Sequence, residues 1–211
     1  GHHRVTLCSL SGGKFYVNDT GTAAARDTGA TYGANKRYIV EGIIDEANKT
    51  FTVSIYEKDT GDVVLENYNV TPYKHDKNNW YEITHGLKGV YFRADRTGNG
   101  SPAYSLYSIK VEDMNASTSE PSEPSEDDFN LSLFEETFDE GYESKTAYNG
   151  KTGAWSYTDG SANLSRNSDG GEGKIYAARN QASAMQFKFD DGQEYTDVMK
   201  LKVTADILTG P

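Results

Sequence analysis

Hydrophobic and polar residues alternate along this chain in short runs separated by polar turns. Residues 36–45 repeat apolar positions at Tyr38, Val40 and Ile44, and residues 49–57 do so at Phe51, Val53 and Ile55. A period of two marks a strand with one buried face, because successive side chains of an extended backbone point to opposite sides. Glu46-Ala47-Asn48 between them is a short polar turn, so the pair reads as a hairpin. A second turn at 58–62, with Gly61 supplying a positive φ, leads into a run at 63–70. Strand-like runs at 4–10, 87–94 and 104–113 complete the first half, and runs at 133–139, 173–179, 184–189 and 198–208 make up the second. No segment sustains a helical period over three turns, so no amphipathic helix is predicted.

Short strands at this spacing, punctuated by Gly and Asn/Asp turns, predict an all-β fold, a two-sheet antiparallel sandwich. The middle of the chain has another composition. Residues 117–128 repeat Ser-Glu-Pro, carry Glu120, Glu123, Glu126, Asp127 and Asp128, and hold neither a base nor an apolar anchor. Such a segment cannot bury enough surface to offset its ordering entropy and is expected to be an extended, solvated linker. The chain then divides into residues 1–114, a linker at 115–130, and residues 131–211.

Composition narrows the picture. Hydrophobic content is 36%, yet aromatics make up 12% and tyrosines number 15, which favours thin β-layers with tyrosines at their margins. The net charge of −11 is uneven: residues 1–115 hold 13 basic and 14 acidic side chains, and residues 116–211 hold 8 and 18. Phosphate backbones and anionic lipid repel such a protein, so neither nucleic acid nor a membrane surface is expected as a partner. The single Cys8 has no cysteine partner for a disulfide or a zinc site and is expected to be a small buried strand residue. No apolar run approaches the roughly 18 residues that span a bilayer.

Several runs carry a resemblance. Phe134-Glu135-Glu136-Thr137-Phe138-Asp139 opens the second half, and Trp155 follows it. Tyr38, Val40, Ile44 and Asp45 lead through a turn into Lys49-Thr50-Phe51-Thr52-Val53, and Tyr104, Leu106, Ile109, Lys110 and Val111 close the first half. Together these resemble the jelly-roll, concanavalin-like accessory modules of secreted bacterial polysaccharide-degrading enzymes. In those modules the Glu-Thr-Phe-Asp strand comes first and the Ile-Lys-Val strand last; here the order is reversed around the linker. First and last strands of a jelly roll lie side by side, so a linker from Val111 to Leu133 closes the fold as a circular permutant. Appending residues 4–18 after residue 208 continues the meander. The other arrangement is a pair of incomplete half-sandwiches from adjacent tandem repeats, whose exposed edges undergo strand exchange with neighbouring repeats.

The resemblance implies carbohydrate binding. A sugar offers an apolar C–H face that stacks on aromatic rings and a hydroxyl rim that needs polar partners. Asn78-Asn79-Trp80-Tyr81, with Tyr73 upstream, is a candidate loop; Tyr91 and Arg93 alternate onto one face of the next strand; Trp155 and Tyr157 form a second pair. For Trp80 and Trp155 a place in the core is the competing reading. The resemblance also implies a structural calcium ion near the first and last strands, with Glu135, Glu136, Asp139 and Asp113 as its oxygen donors; solvated edge acids are the alternative. Where the family often has Asp-Asn before the closing strand motif, this chain has Tyr107-Ser108.

Catalytic signatures are not found. No Gly-x-Ser-x-Gly elbow, His-Glu-x-x-His helix or phosphate-binding glycine loop occurs, and His75 and His85 read as surface turn residues. The expected function is a noncatalytic module that binds plant or cell-wall polysaccharide, in a secreted or cell-surface bacterial protein. The alternative is a structural or adhesive β-sandwich repeat without glycan binding.

Overall fold

The computed structural model describes residues 6–17, 26–70, 87–94, 102–114, 131–139, 145–159, 164–166, 173–176 and 183–210. At 93, 94, 102–104, 157–159, 164–166, 173–176 and 183 it describes the backbone alone. The candidate loop with Tyr73, His75, Trp80, Tyr81 and His85 lies outside these residues, as does the linker at 115–130.

The described residues form strands and no helix. The first half contributes β1 (Ser9–Ser11), β2 (Lys14–Val17), β3 (Arg26–Thr31), β4 (Arg37–Asp45), β5 (Thr50–Glu57), β6 (Val63–Asn69), β7 (Gly89–Ala94) and β8 (Pro102–Asp113). The second half contributes β9 (Leu131–Glu136), β10 (Ala147–Tyr148), β11 (Lys151–Asp159), β12 (Leu164–Arg166), β13 (Gly173–Tyr176), β14 (Ser183–Phe189) and β15 (Lys200–Thr209). The predicted β4–β5 hairpin forms in the register Asp45↔Thr50. Its turn is held by Asp45, which accepts hydrogen bonds from the Asn48 backbone N–H at 3.0 Å and side-chain amide at 2.9 Å. Those bonds, the Asn48 side chain first, hold the Asp45 carboxyl below its ordinary pKa of 3.8.

All pairing is antiparallel, and both larger sheets draw on both halves of the chain. The eight-stranded sheet runs β12-β13-β8-β15-β4-β5-β6, with β9 also paired to β8. β15 is hydrogen-bonded to β4 on one side and to β8 on the other, so a strand of the second half lies between two strands of the first. Along its other edge, β8 pairs β13 near Tyr104–Leu106 and β9 at Ile109–Asp113. The neighbouring positions expected for the Ile-Lys-Val and Glu-Thr-Phe-Asp strands are therefore present as Val111↔Phe134. A four-stranded sheet runs β10-β11-β14-β7, with β7 of the first half at its edge.

The inner faces of these two sheets meet in an aromatic core, giving a β-sandwich-like fold. Phe134 of β9 lies 5.5 Å from Phe187 of β14 and edge-on to Phe189 at 6.5 Å. Tyr148 of β10 packs on Phe134 at 4.0 Å and on Phe187 at 4.6 Å. Such edge-to-face and tilted pairs add to burial because the positive ring edge meets a negative ring face. Phe187, fully buried, is the hub of this cluster.

The N-terminal run departs from expectation. Residues 6–8 are not in a strand, and β1 covers only Ser9–Ser11 before Gly12 and Gly13, both at positive φ, reverse the chain into β2. Leu7 instead packs against the face of β4 at Gly42: a Cβ there would lie 2.2 Å from Leu7 Cδ1. Cys8 is thus a half-buried residue ahead of β1 rather than a strand residue, and burial pushes its thiol from an ordinary 9.0 up to about 12. Among the described residues β1 and β2 pair only with each other and β3, in a separate three-stranded sheet, so they do not extend β15.

Candidate functional site

Cross-strand register separates the predicted site residues into two groups. On β7, Val90 and Phe92 are buried beside Phe187 and Met185, which leaves Tyr91 on the outward face, paired with Gln186 of β14. Gln186 in turn pairs with Ser156 of β11. Tyr91, Gln186 and Ser156 therefore form one row across three adjacent strands on the outer face of the four-stranded sheet. With strands about 4.8 Å apart, the row spans about 10 Å. Tyr91 and Gln186 are half-buried and Ser156 is exposed. Lys188 and Ala154, one register step along, are exposed on the same face. Arg93 occupies the β7 position two residues beyond Tyr91, opposite Ala184.

Trp155 belongs to the other group. It pairs with Phe187 and stands on the inner face, with its ring 5.5 Å from that of Phe187, edge-on, and 6.4 Å from Phe138. The competing core reading thus describes its position, and it does not share a surface with Tyr91. Tyr157 sits in register with Met185, two residues along the same strand.

The four acids expected around a cation are distributed rather than gathered. Glu135 and Glu136 alternate across β9: Glu135 is exposed opposite Lys110, and Glu136 is buried opposite Ile109. Asp113 lies at the far end of the same pairing, opposite Leu131, and Asp139 is exposed beyond β9. Among the described residues no three His, Cys, Asp or Glu side chains cluster in a way that could hold a metal ion.

Glu136 is engaged in another way. Its carboxylate accepts the Phe138 backbone N–H at 2.6 Å and the Tyr148 hydroxyl, and the Tyr148 oxygen accepts the Trp155 indole N–H at 3.0 Å. Lys145 places its ammonium 3.4 Å from the same carboxylate and 4.5 Å over the Tyr148 ring. A buried carboxylate is tolerated only when hydrogen-bonded and paired, and this network supplies both while tying β9, β10 and β11 together.

The outer face of the eight-stranded sheet is charged and internally matched. Asp206 of β15 is buried beneath Arg37 of β4, which bonds it through Nε at 3.1 Å and an Nη at 2.6 Å, and Lys58 also contacts it. The Arg37 guanidinium lies 3.9 Å over the Tyr107 ring, so one half of the Tyr107-Ser108 departure serves as a stacking platform on this face. Lys202 meets Glu41 at 3.0 Å, and Lys110 meets Glu112 at 3.1 Å. The row of Tyr91, Gln186 and Ser156 instead presents an aromatic ring, an amide and a hydroxyl.

Sequence reasoning reached Tyr91 but not Gln186 or Ser156. The alternation of β14 and β11 assigns each to a polar face, yet only the register makes them neighbours. Against known proteins, no family model matches this chain and no curated protein matches it.

Proposed function

We propose that this chain is a noncatalytic carbohydrate-binding module, taking plant or cell-wall polysaccharide on the outer face of its four-stranded sheet. The observation that carries the reading is the row of Tyr91, Gln186 and Ser156. An outward tyrosine offers a ring for the C–H face of a sugar, and the adjoining amide and hydroxyl offer donors and acceptors for its rim. The pairing of β8 with β9 supports the permuted jelly-roll order, with the Ile-Lys-Val strand beside the Glu-Thr-Phe-Asp strand across the linker. A secreted or cell-surface bacterial setting fits a polysaccharide ligand, and a structural calcium ion belongs to the same reading.

The test is retention of the purified chain on insoluble and soluble plant polysaccharides, with and without calcium, beside Tyr91→Ala and Gln186→Ala. Binding by the parent chain that falls about tenfold or more in a folded Tyr91→Ala supports the reading, since stacking on one aromatic ring is a dominant contact. Failure of the parent chain to bind any glycan would sink it in favour of a structural or adhesive repeat.

A further inference from the structure

We propose that β4 and β8 form an acceptor slot able to receive β15 from a second copy of this chain, giving a strand-exchanged dimer. The slot is defined along its whole length. β15 makes nine register pairs with β4, from Lys200↔Asp45 to Leu208↔Arg37, and nine with β8, from Leu201↔Asp113 to Thr209↔Tyr104. Its outer side chains add recognition, with Lys202 meeting Glu41 and Asp206 meeting Arg37 and Lys58. The rest of the second half docks on the first in the same way, through β9 and β13 on β8 and β14 on β7. Every one of these contacts is noncovalent and joins residues 6–114 to residues 131–210. None depends on which copy supplies the second half.

The covalent connection allows either source. Asp113 and Leu131 are register partners, which a loop of two to five residues could join, yet residues 114–130 separate them. Fully extended, that segment reaches on the order of 50 Å, enough to pass to a neighbouring molecule. Closure within one chain is favoured when the protein is dilute, because the tether holds its own second half at an effective concentration of about millimolar. Refolding at high concentration, or denying the chain its own closure, shifts the slot to a second copy.

Two variants with opposite charge reversals test this. Arg37→Asp places two acids together within one chain, and Asp206→Arg places two bases together. Exchange between the two variants restores both pairs at once. The acid introduced at position 37 of one copy meets the base introduced at position 206 of the other, and the remaining slot keeps the original Arg37 with the original Asp206. Co-refolding the two and weighing the products should give a heterodimer of twice the 23.2 kDa chain mass, about tenfold in excess over either homodimer. Monomers alone, or unbiased mixing, would overturn the proposal. A second variant does not rely on charge. Deleting residues 115–130 leaves only Met114 between two register partners, too short for a reversal, so the folded product should be a dimer. An unfolded or aggregated product from this deletion, with the parent chain folding normally, also counts against exchange.

Discussion

The two outer faces of this molecule are built from the same pleated backbone and differ in how their polar side chains are used. On the eight-stranded sheet, Asp206, Arg37, Lys58, Glu41 and Lys202 engage one another across β15, β4 and the turn after β5. On the four-stranded sheet, Tyr91, Gln186 and Ser156 stand in a row across three strands. The first arrangement locks strand order, because each ion pair joins strands that are distant in sequence. The second sets an aromatic ring beside an amide and a hydroxyl on an outer face. Ion pairs between strands distant in sequence stabilise the fold, whereas an aromatic ring beside polar groups on an outer face suits a ligand.

The largest effect on stability is expected on neither outer face but in the core they share. Trp155→Ala removes a ring packed on Phe187 and deprives the Tyr148 hydroxyl of its donor, and should cost about 3–5 kcal/mol in denaturant unfolding. If that variant instead stays fully stable and loses glycan retention alone, the division into inner and outer groups is broken. Asp206→Ala should cost less, about 1–2 kcal/mol, because Arg37 and Lys58 lose their partner but retain contact with water. Tyr91→Ala should change unfolding by under about 1 kcal/mol. A larger loss would show that Tyr91 belongs with the stabilising residues.

Salt provides a finer test of the same contrast. Raising it to about 1 M should weaken the eight-stranded face's ion pairs and leave retention through Tyr91, Gln186 and Ser156 nearly unchanged, since screening acts on charges. Strongly salt-dependent retention would show that the exposed Lys188 on the same face also contacts the ligand.

The smallest effects come from single titrations. Asp45 has a lowered pKa in the folded state, so its contribution is present above 3.8 and lost as pH falls through its folded value. Cys8 is raised, so stability is retained below 9.0 and declines as pH climbs from there toward about 12. Its thiol should also react with an alkylating agent near pH 8 far more slowly in the folded chain than in denaturant, because the thiolate is the nucleophile. Equal rates would show that Cys8 is not protected.

Much of the strand content was legible in the alternation itself. Residues 36–45 and 49–57 became β4 and β5 almost residue for residue, because Tyr38, Val40, Phe51, Val53 and Ile55 repeat at the strand period and are buried. β3 was not legible, since Arg26-Asp27-Thr28-Gly29-Ala30-Thr31 offers one buried apolar residue and holds Gly29 at a positive φ within an irregular pairing. The N-terminal run was overread because Leu7, a good strand residue, is used instead to cover Gly42. Tyr91 could be named from its own strand, but its partners Gln186 and Ser156 lie on strands nearly a hundred and more than sixty residues along the chain.

By itself, the sequence determined that this chain is β-structured, where most of its longer strands fall, and that the linker composition separates two stretches of strands. These properties depend on neighbouring residues, because period, turn chemistry and charge density act over a few positions. Tertiary structure alone decided that β15 lies between β4 and β8, that Trp155 faces inward while Tyr91 faces outward, and that Glu136 is held by Tyr148 rather than standing with Glu135. Those outcomes depend on register and sheet order. A slip of one residue would exchange the faces of a strand, and only long-range packing penalises such a slip.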